Sequence, residues 1–81
     1  MNDSTKTDPV QFHYEQILAS EKLGHKKSKT STTQGLMIAL ALADRRFAEA
    51  NYRDQPVDFL YARLDQPQIA ALKRFRDERG L

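Results

Sequence analysis

An all-α fold, a small bundle of about four helices with the third short, is what this 81-residue sequence predicts. Three observations carry that expectation. Apolar residues recur at helical spacing in four segments, helix-starting residues precede each segment, and Gly24 and Gly80 follow the first and last as left-handed stops.

Residues 1–7 are small and polar with nothing to bury and read as a disordered tail, leaving 8–81 as a single helical domain. Asp8 is a good N-cap, Pro9 suits the first helical position and Gln11 completes a capping box, so a helix is predicted over 9–23, ended by Gly24. It carries two apolar stripes, Val10, Tyr14, Ile17 and Leu18 on one side and Phe12, Ala19 and Leu23 on the other. A helix with two apolar faces touches two surfaces, and one of them is open to another subunit.

Residues 24–33 contain no apolar side chain and read as a flexible basic loop. Ser31 with Gln34 repeats the capping pattern and predicts a second helix over 32–53, with Gly35 in its first turn at a cost of about 0.5–1 kcal/mol against alanine. From 36 to 43 this helix is apolar on every side. Beyond that, Leu36, Leu40, Ala43, Phe47 and Ala50 form a stripe opposite Arg45, Arg46, Glu49 and Arg53. An all-round apolar stretch must be enclosed, and a chain this short buries only about 60–65% of its unfolded surface. A homo-oligomer, dimer or larger, is therefore expected through Leu36, Met37, Leu40 and Phe47, with Phe12 of the first helix.

The tripeptide Asp54-Gln55-Pro56 returns as Asp65-Gln66-Pro67. An eleven-residue echo is too short for a solenoid unit, whose period is about 20–50 residues, and instead marks two helix starts. A third helix over 56–64 is carried by Val57, Leu60, Tyr61 and Leu64, and a fourth over 67–79 by Ile69, Leu72 and Phe75.

Composition excludes several function classes. Without cysteine there is no disulfide, thiolate metal site or cysteine nucleophile. The longest apolar run, eight residues, falls short of the roughly 18–20 that cross a bilayer, and the N-terminus lacks a signal-peptide core, so no membrane segment is expected and the cytoplasm is the expected compartment. His13 and His25 lack the partner spacing of a helical metal site, and no phosphate-binding, dinucleotide or nucleophile-elbow motif occurs. The chain is not expected to be an enzyme or to hold a cofactor or metal.

Net charge is only +2, but it is unevenly placed. Residues 1–21 sum to −3, residues 22–35 hold Lys22, Lys26, Lys27 and Lys29 with no acid, residues 36–64 balance, and residues 65–81 sum to +1. The loop before the second helix thus combines Lys26, Lys27 and Lys29 with the hydroxyls of Thr30, Ser31, Thr32 and Thr33 at a helix start, the parts of a phosphate cradle. Lys73, Arg76 and Arg79 spread over one side of the fourth helix and form a second basic surface, on which Lys73–Asp77 and Arg74–Glu78 are expected as ion pairs. Tyr52 beside Arg53 and Tyr61 beside Arg63 are aromatic-basic pairs suited to stacking on bases.

The stretch Phe59-Leu60-Tyr61-Ala62-Arg63-Leu64, running through Asp65-Gln66-Pro67 and Ile69, Leu72 and Phe75 to Gly80, resembles the opening strand and first helix of ribbon-helix-helix repressors. The likeness covers about a quarter of the chain, and the family's second helix has no counterpart before Leu81. The resemblance implies that alternate strand residues read DNA bases, with Arg63 the reading residue. Residues 59–64 fit helix spacing as well, so strand and helix both stay open there. A helix-turn-helix over the last two helices is a further arrangement, although Asp65-Gln66-Pro67 replaces its usual small turn residues.

Together these features point to a small regulatory binding protein that contacts a polyanion, nucleic acid first, through the basic loop and the basic side of the fourth helix. The alternatives are a helical adaptor or inhibitor of another protein acting through its apolar faces, and a binder of a small phosphorylated ligand or nucleotide at an oligomer interface.

Overall fold

A computed structural model describes residues 8–81, so the tail expected over 1–7 lies outside the described residues. Four α-helices and no strand are found among them: α1 (Pro9–Leu23), α2 (Thr32–Leu42), α3 (Val57–Tyr61) and α4 (Gln66–Glu78). None of these helices is long and apolar enough to cross a membrane.

The first helix runs as the sequence predicts. Asp8 accepts from the Val10 N–H at 2.9 Å, and Gly24, at φ 84°, lets its own N–H return to the Ser20 carbonyl. Gln11 does not close a capping box. Its amide donates to Glu15 at 2.8 Å and accepts from Arg74 at 2.7 Å, joining α1 to α4. Ser31 caps α2 by accepting from the Gln34 N–H at 3.3 Å, and the Gln34 side chain likewise turns to α4 instead of back to the cap.

The second helix ends eleven residues before the predicted boundary. Ala43 takes the left-handed conformation at φ 53°, and the N–H groups of Ala43 and Asp44 both return to the Ala39 carbonyl. Asp44 then caps a new turn by accepting from the Arg46 N–H at 3.0 Å, and two 3₁₀ turns follow, Arg45–Phe47 and Ala50–Tyr52. Arginines satisfy the carbonyls of this irregular stretch. The Arg45 guanidinium donates to the carbonyls of Arg53 and Gln55, and that of Arg53 to the carbonyl of Ala48. The stripe of Phe47 and Ala50 fits a continuing helix, but the backbone closes short 3₁₀ turns there and arginine side chains take further carbonyls.

The two tripeptides differ in use. Asp65 and Gln68 form a full capping box at α4, whereas α3 starts after Pro56 with no side-chain cap. Because Val57–Tyr61 is helical, residues 59–64 supply no strand, and Arg63 lies in the turn between α3 and α4, which overturns the ribbon-helix-helix reading.

One core is shared by all elements. Leu36, Met37, Ile38 and Ala41 of α2 are wholly buried with Ile17 of α1, Leu60 of α3 and Ala71 and Leu72 of α4, and Phe75 is 2% exposed. The central helix is therefore enclosed by its own chain. α4 and α1 cover two sides, the first 3₁₀ turn and α3 add to the cover, and Leu36 and Met37 are core residues with no surface to offer a second copy. Leu40 and Phe47 are half-buried against the same core, and of the residues expected to self-associate only Phe12, 43% exposed, stands clear in solvent.

Candidate functional site

Arginine and lysine have separate fates in this chain. Six of the seven arginines are tied to acceptors of their own molecule. Besides Arg45 and Arg53, Arg76 donates to the carbonyls of Leu40 and Ala41, both at 3.2 Å, at the C-terminal end of α2. Arg46 pairs with Asp44 at 2.7 Å, Arg74 with Glu78 at 3.3 Å, and Arg79 holds both carboxylate oxygens of Glu21 at 2.6 and 2.8 Å.

These pairs leave a mark on ionisation. Arg79 holds the Glu21 carboxyl below its ordinary range, and Arg46 brings Asp44 down to about 2. Glu78 is lowered first by the hydrogen bond from the Tyr14 hydroxyl and then by Arg74, and the same bond raises the Tyr14 phenol. The basic side of α4 is largely committed to contacts inside the chain. Arg76 and Arg79 are engaged within the chain, and of that set only Lys73 is exposed without an ion pair among the described residues. Arg74–Glu78 forms as expected, and Lys73–Asp77 does not.

Three of the four hydroxyls of the proposed cradle are also engaged. Thr32 donates to Glu49 at 2.7 Å, so a carboxylate of the chain itself sits at the start of α2, where the cradle reading placed a phosphate. Ser31 serves as the cap, and Thr33 receives a 3.5 Å contact from the buried Gln68 amide. Thr30 makes no side-chain hydrogen bond among the described residues, and its Oγ1 lies near Gly35. The loop is tied down midway, where the hydroxyls of Ser20 and Ser28 meet at 2.8 Å and the Ser28 N–H reaches the Gly24 carbonyl.

What remains open is a group of lysines. Lys22 in the last turn of α1, and Lys26, Lys27 and Lys29 in the loop, are all exposed, and none forms an ion pair or side-chain hydrogen bond among the described residues. Glu21, the nearest acid in sequence, is occupied by Arg79.

The seventh arginine is different again. The Arg63 guanidinium lies 4.5 Å from the centre of the Phe59 ring and 5.5 Å from that of Tyr52, with no hydrogen-bond or ion-pair partner among the described residues. It borders an open pocket of about 400 Å³ lined by Thr32, Thr33, Tyr52, Phe59, Ala62 and Arg63. The sequence pairs Arg63 with Tyr61 and Tyr52 with Arg53, but Arg53 turns to backbone carbonyls and the partners of Arg63 are Phe59 and Tyr52. The signal was available in part, since Phe59 stands four residues before Arg63, one helical turn away.

Two further hollows are electrically closed. One of about 310 Å³ holds His25, Asp44 and Arg46, with the acid and base paired to each other; another of about 400 Å³ lies beside Arg45 and Arg76, both fastened to carbonyls. His13 stacks edge-on to Phe12, and its buried Nδ1 has no partner among the described residues. No group of three or more His, Asp or Glu able to hold a metal occurs among the described residues. Compared with protein-family models, curated proteins and solved structures, the chain matches none of them.

Proposed function

We propose that the chain is a small binding module, without catalytic activity of its own, that contacts a polyanion, nucleic acid first, through Lys22, Lys26, Lys27 and Lys29. The observation that carries this reading is the separation of the two cations. Six arginines with their rigid forks are spent within the fold, while four lysines, mobile point charges, fall within eight residues of sequence with no ion pair among the described residues. Such a patch attracts phosphates by counterion release and carries little base specificity.

The test is the salt dependence of binding to a fluorescein-labelled DNA, followed by anisotropy. If all four lysines neutralise phosphates, the log–log slope is about −3.6 on duplex and about −2.8 on a single strand. Replacing the four by alanine removes most of that slope. Binding that is insensitive to salt, or unchanged in the quadruple variant, rejects the reading.

A second reading is favoured by the outer face of α1. Phe12, Ala19 and Leu23 line it, Phe12 being 43% and Leu23 54% exposed, directly opposite the packed face. The occupant that fits is a second copy of this chain. Glu15 and Lys22 lie on one flank of the strip, so antiparallel pairing of two α1 helices sets each Glu15 toward the other copy's Lys22. Light scattering on the wild type and on Phe12→Asp tests it: a dimer that the variant dissociates supports the pairing, and a monomeric wild type rejects it.

A further inference from the structure

We infer that the pocket of Tyr52, Phe59 and Arg63 receives an unpaired nucleobase with its phosphate, so that the chain prefers single-stranded nucleic acid to duplex. This inference rests on the polyanion reading above and names the form of nucleic acid it implies.

Arg63 is the arginine whose donors are left over. Six guanidiniums are spent on carbonyls, amides or carboxylates, while this one is held over two rings and bonded to nothing among the described residues. The rings lie under the guanidinium, and its five N–H donors in a planar fork have no acceptor of the chain among the described residues. A fork of that kind bonds a phosphate bidentately, and its flat face stacks on a base as an aromatic ring does.

The pocket supplies the rest. Tyr52 and Phe59, with ring centres 6.3 Å apart and planes tilted by 35°, give an inclined apolar wall partly covered by the guanidinium, and the volume of about 400 Å³ falls within the usual range of small-ligand sites, about 300–1,000 Å³. A simple anion would leave that wall unused, and an uncharged ring would leave the fork unused. A nucleotide uses both.

Position makes the ligand a strand. Thr32 lines the pocket and lies three residues after Lys29, a span of at most about 11 Å of chain. Lys29 therefore lies within reach of the pocket's rim, and a strand with one base seated there can bring a neighbouring phosphate to it. In a duplex the faces of the bases are stacked and cannot reach a side-chain pocket without being flipped out.

The experiment measures anisotropy with fluorescein-labelled oligo(dT) and with a labelled duplex, for the wild type, Arg63→Ala, Arg63→Lys and the quadruple lysine variant. The expected result is tighter binding to oligo(dT) than to duplex, with Arg63→Ala losing roughly 5- to 100-fold on the single strand. Arg63→Lys keeps the charge without the planar fork; it is expected to lose the single-strand preference while its duplex binding stays unchanged. Equal affinity of the wild type for both forms, or a preference that survives both Arg63 variants, overturns this inference; if the quadruple lysine variant then still loses binding, the polyanion reading stands alone. No binding of the wild type to either form overturns both.

Discussion

Gly35 is packed so tightly against Phe47 that a Cβ on the glycine would stand 2.7 Å from the Phe47 carbonyl oxygen. The obstacle is backbone and cannot swing aside. Helix propensity alone makes Gly35→Ala stabilising by about 0.5–1 kcal/mol. Overpacking a fixed contact costs about 1–3 kcal/mol, so the steric effect outweighs the propensity gain and the variant is less stable by up to about 2.5 kcal/mol. Urea denaturation followed by circular dichroism checks the sign, and a more stable variant would show that the 3₁₀ turn yields to the methyl group.

Ala43 is the reverse case. It holds a left-handed conformation at φ 53° and is exposed, so its methyl group contributes little packing while its backbone is strained. Glycine takes that conformation freely, and Ala43→Gly is expected to gain about 1 kcal/mol. For a domain of this size that raises Tm by about 4–8 °C in a thermal melt.

These two residues also show what the sequence hides. The helix over 9–23 is legible because its signals are local: Asp8 and Pro9 start it, Gly24 stops it, and the apolar spacing lies between. The end of α2 is not, because Ala43 is a poor stop residue and Phe47 and Ala50 continue the helical period. What ends the helix is tertiary, Phe47 folding back on Gly35 and Arg45 reaching Gln55 ten residues on. The candidate surface divides in the same way. Lys26, Lys27 and Lys29 are legible from charge alone, since lysines with no acid nearby remain exposed. The occupation of Arg76 by α2 carbonyls, and of Thr32 by Glu49, depends on pairings 35 or 36 and 17 residues apart that no local pattern contains.

Stability in acid should follow Asp44. Its carboxyl is lowered from 3.8 to about 2, chiefly by the hydrogen bonds from the Arg46 side chain. A lowered folded-state pKa gives stabilisation that is present above the unfolded value and lost as pH falls through the folded one, here between about pH 4 and 2. Asp44→Asn keeps an oxygen to cap the Arg46 N–H but has no charge to lose. In thermal melts from pH 6 to 2 the wild type is expected to be more stable at the upper end and to converge on the variant at the lower. Glu21 and Glu78 are lowered as well, so the variant retains a shallower decline. Arg46 is 65% exposed, and added salt should narrow the gap between the two proteins.

Arg76 separates folding from binding. Its guanidinium closes the carbonyls of Leu40 and Ala41, acceptors at the helix end that nothing else in the turn reaches. Arg76→Met keeps the apolar stem, removes both bonds and leaves half-buried carbonyls short of a donor, at an expected cost of about 1–3 kcal/mol. The four lysines have no such duty, and the quadruple alanine variant should stay within about 0.5 kcal/mol per site of the wild type. The two variants are therefore expected to fail in opposite assays: Arg76→Met lowers the urea midpoint and binds DNA normally while folded, whereas the lysine variant melts normally and loses the salt-dependent contact. If Arg76→Met instead melted normally and lost DNA binding, the guanidinium would belong to the binding surface and its bonds to α2 would be dispensable.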